Sequence, residues 1–196
     1  MKNIFILITL FFSLGAKAQF GLSKGELYEK AIVYFTDGTS EKGLIKRRSF
    51  GGIKFRENLD SKPETYDSSN VTGYDDLTTN EKYRYKTVGD FTMLMKIVQL
   101  GELNLFVVYK SSGSMPMGMG VGGANTGMPM MSMGYGGSNV YYIEKNDNTI
   151  NIGRKIRKNE WHLFEDCPVL LEKLKQKELS KGAIEDIVDF YNSKCN

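Results

Sequence analysis

Seven of the chain's ten methionines fall in one uncharged stretch, SMPMGMGVGGANTGMPMMSMGYGG, from Ser114 to Gly137. Thioether sulfur is a soft donor that selects Cu(I) and similar ions over hard cations. Met115, Met117 and Met119 are spaced by two, as are Met128 and Met130, and Met131 and Met133 stand beside them. Residues two apart on an extended backbone point to one side, with Cα atoms about 6.6 Å apart. Such long side chains can converge on one Cu(I) or Ag(I) ion. Two other readings compete. A glycine-rich stretch with no apolar period gains little from ordering, which makes it a spacer. Methionine also adapts to promiscuous protein contacts. The spacer leads; protein contact and soft-metal binding follow.

Other chemistry is sparse. The one histidine, His162, sits in NEWHLFEDC with Glu165 and Asp166 close in sequence. Histidine is the usual general base, but no Gly-x-Ser-x-Gly, paired-carboxylate or Cys-His pattern surrounds it. The expected role is packing beside Trp161 and Phe164. HExxH, Gly-Lys-Ser/Thr phosphate loops and GxGxxG between strand and helix are all missing from the sequence. The expectation is therefore a protein without catalytic activity, with a carboxylate-only hydrolase as the remote alternative. The basic run RKIRK, Arg154 to Lys158, is of a kind that touches phosphate or a lipid headgroup, but usually forms a solvated face. Met93 and Met95 alternate inside a strand and read as core.

The elements that must position these residues are mostly strands. In AIVYFTDGTSEKGLIK, Ala31 to Lys46, apolar residues flank Asp37-Gly38, a hairpin turn in which glycine tolerates positive φ. GIKFRE, Gly52 to Glu57, and Val71 to Tyr74 add further short strands. This block, residues 19–78, is expected to be a small SH3- or Sm-like barrel or sheet. Residues 79–153 read as an antiparallel meander: EKYRYKTV alternates, Phe91 to Lys110 is a strand pair around Gly101-Glu102, and SNVYYIEK pairs with TINIG. Phe106 and Val108 are expected inside. The loop 111–137 interrupts this meander.

Residues 154–196 read as a helical hairpin. Cys167, Leu170, Leu171 and Leu174 make one apolar helical face, with Pro168 suited to the first turn. A second face runs through Ile184, Ile187, Val188, Tyr191 and Cys195, with Ser180 as its cap. Antiparallel helices place the start of one beside the end of the other, so Cys167 and Cys195 are expected to meet as a disulfide. The competing expectation is two reduced, buried thiols. The fold class is α+β, mainly β.

The N-terminus, MKNIFILITLFFSLGAKAQ, has a basic residue, an eleven-residue apolar run from Ile4 to Leu14 and the small-x-small site Ala16-Lys17-Ala18. It reads as a secretory signal over residues 1–18, cleaved before Gln19. Lys2 and Lys17 leave with it, so the formal charge falls from +3 to +1. The case for a nucleic-acid partner falls too. No later run is long and apolar enough to span a bilayer.

FEDCPVLLEKL…IEDIVDFYNSKC and FTMLMKIVQLGELNLFVVYK resemble segments of uncharacterised exported proteins from Bacteroidetes-type bacteria, as does the Ala-Lys-Ala-Gln junction. The resemblance implies an exported β-plus-helix protein and supplies no catalytic residues. In composition alone, the methionine stretch also resembles Met-rich segments of exported copper-handling proteins. Taken together, the expectation is an exported structural or binding protein of the periplasm or envelope. Its partner would be an unidentified protein or envelope component, and it would need no cofactor. The alternative is Cu(I) or Ag(I) binding through the loop.

Overall fold

A computed structural model describes residues 28–48, 52–110 and 137–195. Ten strands form one sheet: β1 (Glu29–Phe35), β2 (Ser40–Arg47), β3 (Ile53–Arg56), β4 (Glu64–Tyr66), β5 (Val71–Asp76), β6 (Lys82–Val88), β7 (Phe91–Gln99), β8 (Asn104–Lys110), β9 (Ser138–Lys145) and β10 (Asn148–Gly153). Their order is β10-β9-β8-β7-β6-β5-β1-β2-β3-β4. A 3₁₀ helix (Lys158–Phe164) and two α-helices follow, α1 (Pro168–Gln176) and α2 (Ile184–Lys194). The chain is thus α+β and mainly β, with a C-terminal helix pair. No helix among the described residues is long and apolar enough to cross a membrane.

The β1–β2 hairpin turns at Asp37-Gly38. Gly38 takes φ +88°, and Asp37 Oδ1 accepts from the Thr39 N–H at 2.9 Å and its hydroxyl at 2.6 Å. β5 returns to pair with β1, leaving the short strand β4 at the far edge. β4 is too short to show a hydropathy pattern. A flat sheet would set β1 and β4 about 14 Å apart, three strand spacings. Yet the rings of Phe35 on β1 and Tyr66 on β4 lie 5.3 Å apart, edge to face. The sheet therefore curls around a core of Ala31, Val33, Ile45, Ile53, Phe55 and Tyr74. Gly43 makes room for it: a Cβ there would come within 2.5 Å of the Phe55 ring.

Cross-strand partners run Val33–Tyr74–Tyr83–Lys96–Val107–Tyr141 along one face of the sheet. β5 pairs with β6 across the expected block boundary, so both blocks share this sheet. Met95, Phe106 and Tyr142 lie on the opposite face, around a second, smaller core. There Lys86 of β6 reaches Glu144 of β9 at 2.5 Å, again across three strand spacings. The two halves of the sheet therefore curl toward opposite faces, giving it an S-shaped section.

Over β8–β10 the first face is covered by the helices. Leu170 and Leu174 of α1 and Ile187, Val188 and Tyr191 of α2 pack with Leu105, Ile143 and Ile152. Phe164 is fully buried there and Trp161 packs at the margin. Two expectations are corrected. Val108 is only half-buried, because it lies near the open end of the second curl, whereas Phe106 is buried as expected. Ser180 does not cap α2. The helix starts after Ala183, whose N–H donates to the Ser180 carbonyl at 2.9 Å, so a turn intervenes. Cys167 and Cys195 flank the helix pair with Cα atoms 5.3 Å apart, at disulfide distance.

Candidate binding cleft

The described residues do not cover the first face of the sheet everywhere. Between the curled end of β2–β3 and the helix-covered strands lies an open cleft of about 770 Å³. Arg47, Arg48 and Gly52 form one wall, Leu94, Lys96 and Val107 the other, with Tyr83 between them and Tyr109 and Asn139 at the rim. Strand alternation explains the arrangement. Tyr83, Lys96 and Val107 are successive cross-strand partners, so their side chains stand in one row.

Four polar side chains of the cleft form one chain. Arg47 Nη1 donates to the Tyr83 hydroxyl at 2.9 Å, and that hydroxyl donates to Glu81 Oε2 at 2.5 Å. Lys96 Nζ donates to Glu81 Oε1 at 2.9 Å. Tyr83 stacks on Tyr74 with centroids 4.8 Å apart, which fixes its ring. The Arg47 guanidinium stands over the Tyr83 ring, 5.1 Å from its centroid. Burial and the bond to Glu81 push the Tyr83 phenol up to about 12. Hydrogen bonds from Tyr83 and Lys96 hold the Glu81 carboxyl below its usual range. Both groups are thereby fixed, one as a neutral phenol and one as a carboxylate, throughout the neutral range.

Behind Arg47 lies a pair of carboxyls. Glu29 is 4.0 Å from Arg47 Nη2. Burial raises its carboxyl above the ordinary value; Arg47 opposes this, and neighbouring Asp76 adds to it. Asp76 is itself buried. Burial pushes its carboxyl up, but the Thr78 and Thr79 N–H groups, 2.7 and 3.1 Å from Oδ1, prevail and hold it low. The lining sets Arg47, Arg48 and Lys96 beside Glu81, with Glu29 paired to Arg47 from behind, over an aromatic floor and an apolar wall. That combination suits a ligand with an acidic group and an apolar body.

The residues singled out by sequence fall elsewhere. Met115, Met117, Met119, Met128, Met130, Met131 and Met133 all lie outside the described residues. Among the described residues, no group of three or more His, Cys, Asp and Glu side chains could hold a metal ion. The ring of His162 is exposed, with Nδ1 2.8 Å from the Asn159 carbonyl. Its sequence neighbour Asp166 is engaged by Lys145 at 2.5 Å and by the Tyr191 hydroxyl at 2.8 Å instead. The cleft residues carry no sequence motif. Alternation in EKYRYK puts Tyr83 and Tyr85 on one face of β6, but nothing local reveals that Arg47 joins Tyr83. No family model matches the chain, and no curated protein or solved structure matches it significantly.

Proposed function

We propose that this is an exported binding protein of the bacterial envelope that works without catalysis, and that the cleft holds its partner. The observation that carries the reading is the cleft itself: an aromatic-floored groove lined by Arg47, Arg48 and Lys96, in which Arg47, Tyr83, Glu81 and Lys96 are held by one another. Preformed concave sites with a few fixed polar groups are where ligands commonly bind. The groups here are arranged for recognition. Arg47, Tyr83, Glu81 and Lys96 are locked in mutual hydrogen bonds, and the pKa shifts of Tyr83 and Glu81 hold them in single protonation states, which does not suit proton transfer at neutral pH. The N-terminal signal pattern, the resemblance to exported proteins and a cysteine pair at disulfide distance support the compartment.

The test is photo-crosslinking in intact cells. p-Benzoylphenylalanine is placed at Tyr109, on the cleft rim, and separately at Leu59, an exposed residue on the outer face of the first curl. A discrete adduct is expected from position 109 and not from position 59, and Lys96→Glu should abolish it. Adducts of equal yield from both positions, or none from position 109, would sink the cleft assignment. Fractionation tests the compartment: a protein retained in the cytoplasm with residues 1–18 still attached contradicts export.

A further inference from the structure

We infer that the loop after β10 is a docking surface for phosphate-bearing lipid headgroups, at a second site independent of the cleft. Gly153, at φ +75°, turns the chain out of the sheet, and the next residues are Arg154, Lys155, Ile156, Arg157 and Lys158. Ile156 is fully buried in the helix-covered core. Its N–H donates to the Lys181 carbonyl at 2.8 Å, which brings a fifth cation alongside. Glu160 accepts the Arg157 N–H at 2.5 Å and fixes the far end of the loop. The buried isoleucine thus pins the loop while Arg154, Lys155, Arg157 and Lys158 stay exposed on either side of it.

These cations differ from the others in how they are partnered. The ion pairs among the described residues use Arg47, Lys82, Arg84, Lys86, Lys96, Lys145 and Lys173. None uses Arg154, Lys155, Arg157, Lys158 or Lys181. Arg154 donates to the Ser138 hydroxyl at 2.6 Å, and Lys181 lies over the Trp161 ring at 5.2 Å. Both contacts leave the positive charge uncompensated. The only nearby carboxylate in the loop and 3₁₀ helix, Glu160, is buried and spent on the backbone. Five positive charges with no ion-pair partner among the described residues are therefore held together on a chain whose formal charge is only +3. Clustered, unpaired cations beside a half-buried tryptophan match an anionic bilayer surface, where lysines and arginines meet headgroup phosphates and tryptophan prefers the interface.

Trp161 is the chain's only tryptophan, so its emission reports binding at this site. The protein is titrated with vesicles of phosphatidylglycerol mixed into phosphatidylcholine, with pure phosphatidylcholine vesicles and with soluble polyphosphate. Co-sedimentation is measured in parallel. A shift of Trp161 emission and sedimentation with the anionic vesicles alone is expected, both reversed by salt on the scale of ionic screening. Lys155→Gln with Lys158→Gln should weaken binding roughly fivefold per charge removed, since each cation near such a surface contributes about 1 kcal/mol. Lys42→Gln with Lys54→Gln, the same change on exposed strand residues far from the loop, should leave it unchanged. Equal loss in both double variants, binding to neutral vesicles, or a response to polyphosphate without one to vesicles would each overturn the proposal. The cleft assignment is untouched by any of these results.

Discussion

Lys86 of β6 and Glu144 of β9 meet at 2.5 Å inside the second curl, although two whole strands lie between theirs in the sheet. Glu144 is 6% exposed and also accepts from Asn104 at 3.0 Å and Thr149 at 3.3 Å. Burial opposes its ionisation, but these donors hold its carboxyl below the ordinary value. Lys86→Ala should therefore cost about 2–3 kcal/mol, somewhat below a fully buried pair because the lysine side chain keeps 28% exposure. Adding Glu144→Gln should recover much of the loss, because the amide still accepts from Asn104. Urea denaturation of the two variants decides this. A cost under about 0.5 kcal/mol for Lys86→Ala, within the range of an exposed pair, would mean the curl is held by its apolar core alone.

Stability should depend on pH with opposite signs at two neighbouring carboxyls. Asp76 is held below its ordinary 3.8 in the folded chain, so its contribution is present above that value and lost as pH falls through the folded value. Asp76→Ala should cost about 2 kcal/mol at pH 7, because the Thr78 and Thr79 N–H groups lose their acceptor, and less at pH 3. Glu29 is raised above 4.5, so the folded state is favoured below 4.5 and that advantage disappears as pH rises past the folded value. Glu29→Gln should accordingly stabilise the protein at pH 7 and lose this gain near pH 4. Thermal unfolding at both pH values reads the pair. A Glu29→Gln protein that is less stable at pH 7 would show that Arg47 outweighs burial.

The Cys167–Cys195 pair should be oxidised in protein recovered from the native envelope. The bond would close a loop with a sequence separation of 28 residues and stabilise the fold by about 3.5 kcal/mol in the chain-entropy model. Reduction should then lower the melting temperature by roughly 10 °C. Thiol counting on denatured, unreduced protein gives the answer directly, and two free thiols would exclude the bond.

The methionine stretch should be dispensable for folding. β8 and β9 stay paired to their ends, with Lys110 opposite Ser138. A short turn can therefore replace residues 111–137 without altering the ladder. Its melting temperature should stay within a few degrees of the full chain's, and a chain that fails to fold would contradict the spacer reading. Anaerobic Cu(I) titration of the full chain and of a Met-to-Leu loop variant should give matching curves. Tighter binding by the full chain would establish the soft-metal alternative.

Part of this fold was legible in the sequence because it depends on local chemistry. Asp37-Gly38 marked the first hairpin, since glycine readily takes the positive φ its turn uses. Apolar alternation from Phe91 to Lys110 marked β7 and β8. Helical spacing placed Cys167 and Cys195 at adjoining ends of two antiparallel helices, and their 5.3 Å Cα separation agrees. Where cues were short or non-local, the sequence misled or was silent. β4 is three residues long, and Ser180 offered a cap that the chain bypasses by one turn.

The sequence by itself determined which residues alternate to each face of each strand, where the hairpins turn and which helix faces are apolar. The tertiary structure alone decided the direction in which each half of the sheet curls. Alternation with period two fixes sides along one strand, but curling is set by contacts between strands that are not neighbours, such as Phe35 with Tyr66 and Lys86 with Glu144. Those contacts brought Arg47 to Tyr83 and Lys96 and opened the cleft between the halves. Side chains 36 residues apart in the chain met there because the backbone curved, a long-range outcome that no local pattern encodes.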